Sequence, residues 1–102
     1  MHKLIATYKK PADIEAFERH YREVHIPLVD KIPGLLRTVM NRGISPPWGG
    51  EPSFYLMVEM QFATEEAFIS AMNSPENRAA GKDIRSFAAD LVTLTAVRVD
   101  YQ

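Results

Sequence analysis

Ser53-Phe54-Tyr55-Leu56-Met57-Val58-Glu59-Met60-Gln61-Phe62 is the clearest strand signal in the chain. Phe54, Leu56, Val58, Met60 and Phe62 alternate with Tyr55, Met57, Glu59 and Gln61, the two-residue period of a strand with unlike faces. One face is purely apolar and predicts a core. The other mixes a phenol, a thioether, a carboxylate and an amide, which suits the wall of a semi-polar cavity better than open solvent. Ahead of it, Ser45 to Pro52 is a loop dense in Pro and Gly. Before that loop, Leu35 to Ile44 reads as another strand, with Leu36, Thr38, Met40 and Arg42 opposite Arg37, Val39 and Asn41.

Further toward the N-terminus, Ile14, Phe17, Tyr21, Val24 and Leu28 recur at spacings of three and four, predicting an amphipathic helix with Asp13 as its N-cap. Pro27 removes the amide that would bond the Glu23 carbonyl. The helix therefore kinks at Glu23–Ile26, or ends there with Pro27 opening a short second helix. Pro33-Gly34 stops it. Met1 to Tyr8 reads as the first strand, with Leu4, Ala6 and Tyr8 on one face. Lys9-Lys10-Pro11 ends it.

On the C-terminal side, Thr64 caps a helix with Glu65 and Glu66 in its first turn. Asn73-Ser74-Pro75 breaks that helix, and Ser74 caps a further short one running towards Ala80. Gly81 and Asp83 then punctuate a segment that buries Ile84, Phe87 and Leu91. Val92 to Tyr101 is the last strand. The order β-α-β-β-α-β within one domain, residues 1–102, predicts an α+β, ferredoxin-like antiparallel sheet with both helices on one face. That leaves a sheet face carrying Tyr55, Met57 and several Val and Thr positions uncovered. A second copy of the same face is the economical cover, so a symmetric homodimer is expected.

Composition narrows the function classes. The 102 residues are 46% apolar and 25% charged, those of one ordinary globular domain. With 12 basic and 13 acidic residues the formal charge is −1, which argues against a nucleic-acid or anionic-membrane surface. Cysteine is absent, so no disulfide, thiol nucleophile or thiolate metal site is available. Leu4-Ile5-Ala6 is too short for a signal h-region, and no stretch approaches the ~18 apolar residues of a membrane helix. By default the protein reads as cytoplasmic. No partner class is implied beyond a small-molecule ligand and a second copy, and no cofactor is expected.

His20-Tyr21, His25-x-Pro27-Leu28 and Pro33-Gly34-Leu35, with Ser74-Pro75-Glu76 and Asp83-Ile84-x-x-Phe87 in the second half, resemble the EthD family over nearly the whole chain. The resemblance implies a dimeric α+β barrel, two four-stranded sheets forming eight strands with a cavity in each subunit. Relatives of that architecture include cofactor-free isomerases, cyclases, dehydratases and oxygenases, haem-binding enzymes and proteins of unknown role. The Pro46-Pro47-Trp48-Gly49-Gly50 loop is outside the signature.

Candidate site residues follow from chemistry and spacing. His25, beside the proline, is a general acid or base at the cavity mouth, or else a ring that bonds nearby backbone and fixes the kink. Glu59 is its expected partner, desolvated in the barrel with a raised pKa, or alternatively ion-paired with Arg37 or Arg98 at the dimer seam. Tyr8, Tyr55, Met57 and Gln61 are expected in the ligand wall, with Trp48 as a lid over the mouth or a plug in the dimer interface. His20 is a flanking ligand-contact candidate with a capping or packing alternative. It does not pair with His25 on a metal, because an i,i+5 spacing leaves the rings about 140° apart around a regular helix.

Two readings result. One is an enzyme of isomerase, lyase or cyclase type, moving a proton on a small, mostly apolar carbonyl or aromatic compound without a cofactor. Glu59 or a tyrosine hydroxyl would partner His25. His25 and Glu59 facing one void within about 7 Å, or sharing one water, would favour this reading, and a His25 bonded only to backbone and turned from any void would end it. The other is a non-catalytic ligand-binding or accessory protein of a degradation pathway using the same cavity. A haem-dependent or cofactor-free monooxygenase is a third.

Overall fold

The computed structural model describes all residues, 1–102. Strands β1 (His2–Tyr8), β2 (Arg37–Arg42), β3 (Leu56–Phe62) and β4 (Val92–Arg98) form one sheet in the order β2-β3-β1-β4. Every pairing is antiparallel, with Leu4 opposite both Met60 and Ala96. This is the ferredoxin-like arrangement expected from the element order, with all helices on one face.

Period-two alternation fixes which residues meet the helices. In β3 the buried set is Leu56, Val58, Met60 and Phe62, and the intervening Met57, Glu59 and Gln61 are half-buried on the other side. Tyr8, Leu56, Val58 and Phe62 are the largest fully buried side chains, and the three purely apolar ones each contribute roughly 1.5–3 kcal/mol by leaving water. Phe17 and Tyr21 stack 5.5 Å apart above Tyr8, joining the first helix to the sheet.

Pro27 does not kink the first helix sharply. Asp13 caps α1 (Ile14–His20) by accepting from the Ala16 amide, and the chain then widens into one π turn, Tyr21–His25. The Ile26 amide bonds Tyr21 O across that turn, and α2 (Ile26–Val29) continues with Pro27 in its first turn. Pro27 thus falls in the first turn of α2, where a missing amide costs least. Gly34 then turns the chain at φ +80°.

Thr64 caps α3 (Glu65–Met72) and Ser74 caps α4 (Pro75–Phe87), each side-chain oxygen accepting an amide three residues on. The segment expected to be broken near Gly81 and Asp83 is one continuous helix of 13 residues. Its Ser-Pro start and the apolar positions Ala80, Ile84 and Phe87 outweigh a single interior glycine. The strand boundaries also tighten: Tyr55 precedes β3, and Gly43 passes so close to Phe54 that a Cβ would lie 1.8 Å from its carbonyl oxygen.

Candidate functional site

The side chain that organises the site is Asp83, on α4. His20 Nε2 lies 2.8 Å from Asp83 Oδ1, and His25 Nδ1 lies 3.0 Å from Asp83 Oδ2. A carboxylate only accepts, so each of these ring nitrogens carries its proton when the ring is neutral. His25 is thereby left with Nε2 as a bare lone pair. The Asp83 side chain is 11% exposed, His25 3% and His20 33%. Burial pulls the His25 pKa below its ordinary value, while the Asp83 carboxylate pulls it back up.

The π turn makes this constellation possible. It lowers the rotation per residue, so positions 20 and 25 come round towards one face, and two rings that a regular helix would splay both reach one carboxylate on the facing helix. His20 and His25 act together after all, on a carboxylate rather than on a metal. Phe87, one turn beyond Asp83, packs against both rings with centroids at 4.2 and 5.7 Å. His20 then faces an open groove between α1 and the end of α4, whereas His25 faces inward.

The inward side is a cavity of about 280 Å³ between the helices and the sheet. Leu4, Met60 and Leu94 form its floor on three strands, and Val29, Ile32 and Ile84 its walls. His25, Asn77, Arg78 and Arg85 are its polar lining, with no carboxylate. It opens beside Leu94, which is 51% exposed at the sheet edge.

A family model for the EthD domain matches residues 9–90 of the chain. The chain belongs to the EthD family. An EthD family protein of known structure from Bacillus halodurans is 43% identical, superposes with a TM-score of 0.90, and matches over 98% of this chain and 99% of its own. An uncharacterized 11.0 kDa protein from the thcB-thcC intergenic region of Rhodococcus erythropolis is 34% identical over 94 residues, 92% of this chain and 90% of that protein. A dimeric ferredoxin-like protein of unknown function from Thermobifida fusca shares the fold at 17% identity, with a TM-score of 0.67 over 96% of this chain and 90% of that one.

The EthD domain match contains His20, His25 and Asp83, but not the strand residues Leu4 and Leu94 that close the cavity. Several expected site residues are placed elsewhere. Glu59 lies on the sheet face away from the helices, so the sheet itself separates it from His25. Lys3 Nζ donates to it at 2.8 Å and Asn41 Nδ2 at 3.0 Å, and the Lys3 ammonium leads in holding its pKa below the ordinary carboxylate range. The raised pKa expected for Glu59 is therefore corrected; within the chain its direct ion pair is with Lys3, and the Arg37 charge adds to the lowering.

Met57 and Gln61 share that outer face and do not line the cavity beside His25. Tyr55 leaves the face altogether, because the strand begins only at Leu56. Its hydroxyl donates to Glu18 on α1, under the Arg42 guanidinium that grips the same carboxylate at 2.7 Å. Tyr8 is core: its hydroxyl is buried without a partner, and burial pushes its pKa up to about 12. Trp48 is 85% exposed and covers nothing within the single chain. Asp83 is the residue that sequence reasoning missed. Its signal was present in the Asp83-Ile84-x-x-Phe87 pattern, read only as a family mark and as punctuation.

Proposed function

We propose that this EthD protein binds a small, mostly apolar carbonyl or aromatic compound in the cavity between helices and sheet and moves a proton on it with His25. The observation that carries the reading is the Asp83–His25 hydrogen bond. It fixes the tautomer, leaves Nε2 as the base, and steadies the imidazolium that forms when His25 takes a proton. Burial keeps the ring neutral near pH 7, the state a base needs. The apolar walls limit water at the reacting atoms. No second acid is required from the sheet, because the protonated His25 can return the proton to a neighbouring carbon.

The outer sheet face supports a homodimer. Ile5, Val39 and Val97 lie there beside the Lys3–Glu59–Asn41 cluster, with no helix over them. Two such faces packed together would give the eight-stranded barrel, in keeping with the dimeric ferredoxin-like protein of T. fusca. Trp48, free in one chain, would then be available to the partner.

A direct test follows α-proton exchange of cyclohexanone and acetophenone in D2O by NMR. Wild type should accelerate exchange over buffer, and His25→Gln should remove the excess. Binding of these ketones without any acceleration would instead leave the ligand-binding or accessory reading. One observation already favours that alternative: Asp83 ties the π turn to α4 through two rings, a role that needs no catalysis.

A further inference from the structure

Arg85 stands at the junction of both hollows, lining the groove that His20 faces and the cavity that His25 faces. It makes no ion pair with any Asp or Glu, although the chain's other close cation–carboxylate contacts include Lys3–Glu59 and Arg42–Glu18. Its guanidinium folds back one turn along α4 and lies over Gly81, where a Cβ would meet Arg85 Nη1 at 3.4 Å. Glycine inside a helix is unfavourable relative to alanine, so Gly81 is a local weakness at the position where backbone, cavity and guanidinium meet. Arg78 lies at the same cavity, its Nη1 donating to Asn73 O at 2.8 Å.

Among the residues lining this cavity the charges have one sign. Asp83 has both its oxygens engaged by the histidine rings behind the cavity wall, and Asp13 and Asp90 line the outer groove rather than this cavity. An apolar pocket with donors and cations but no carboxylate prefers a ligand that is apolar in body and anionic at one end.

We propose that the cavity recognises an apolar carboxylic acid, its hydrocarbon or aromatic body against Leu4, Met60 and Ile84 and its carboxylate at Arg85 over Gly81. This rests on the cavity assigned above as the ligand site and specifies which ligands it takes. A guanidinium pairs two N–H groups with two carboxylate oxygens, a match that a neutral carbonyl lacks. Because the arginine is solvent-exposed, the selectivity is modest and falls with salt.

The test compares near-isosteric pairs, hexanoate with hexanamide and 4-methylbenzoate with 4-methylbenzamide, by amide chemical-shift titration of the full chain at pH 7. The expected result is a roughly two- to fivefold preference for each carboxylate. That preference should disappear in Arg85→Gln and shrink in 0.5 M salt. Gly81→Ala, whose Cβ would push the Arg85 tip aside, should weaken the acid more than the amide, with the shifts at Ala80 and Ile84 locating both in this cavity. Equal affinity of acid and amide in wild type, or a preference that survives Arg85→Gln, overturns the inference while leaving the cavity reading intact. If neither member of a pair shifts the cavity residues, both the inference and the cavity reading fall.

Discussion

Asp83 holds one imidazole on each carboxylate oxygen, so its charge reaches both histidines at once. For His25, burial lowers the pKa below 6.5 and Asp83 opposes that fall. Asp83→Asn keeps the shape of the side chain and removes the opposing charge. The His25 midpoint should therefore drop further in the variant, read from its ring resonances in an NMR titration. An unchanged or raised midpoint would show that Asp83 does not bear on this ring. The stability consequence has a definite sign. Between the lowered folded value and 6.5 the unfolded chain binds a proton that the folded chain does not, so stability rises with pH through that window. Below it, both states are protonated and the penalty for charging a buried ring is fully present.

The elements differ in how readily they could be read. Caps at Asp13, Thr64 and Ser74 are local chemistry, and each side chain accepts the amide expected of it. The response to Pro27 is not local. A kink, a stop and a π turn all relieve the missing amide, and packing of Phe17, Tyr21 and His25 against the sheet and α4 selects the π turn. Gly81 reads as punctuation in the sequence because a helix interior normally excludes it, yet α4 runs through. Gly81→Ala should therefore stabilise the fold by about 0.5–1 kcal/mol, a Tm rise of a few degrees in thermal unfolding, since the nearest atom to a new Cβ is the movable tip of Arg85. A fall in Tm would mean that Arg85 cannot give way.

For the assembled molecule, the open sheet face is where a second copy should sit. Light scattering after size exclusion should give twice the 11.6 kDa chain mass at micromolar concentration. Ile5→Glu places a carboxylate beside Glu59 at the centre of that face, and should yield monomers with helix content unchanged. A wild-type mass of one chain would refute the barrel. The same geometry explains the misplaced partner of His25. In a four-stranded sheet with helices on one side, the cavity and the open sheet face lie on opposite sides, and alternation sends Glu59 to the latter. Pairing His25 with Glu59 treated two separate surfaces as one.

Periodicity, caps and element order are properties of neighbouring residues, and they were enough for β-α-β-β-α-β and the faces of β3 from Leu56 on. They also carried the EthD resemblance. The meeting of His20, His25 and Asp83 was beyond their reach, because it joins positions 58 and 63 residues apart along the chain. So was the exit of Tyr55 to Glu18, which depends on where β3 begins. Local pattern specifies which face a side chain takes; only packing of helix on helix specifies which other side chain it finds there.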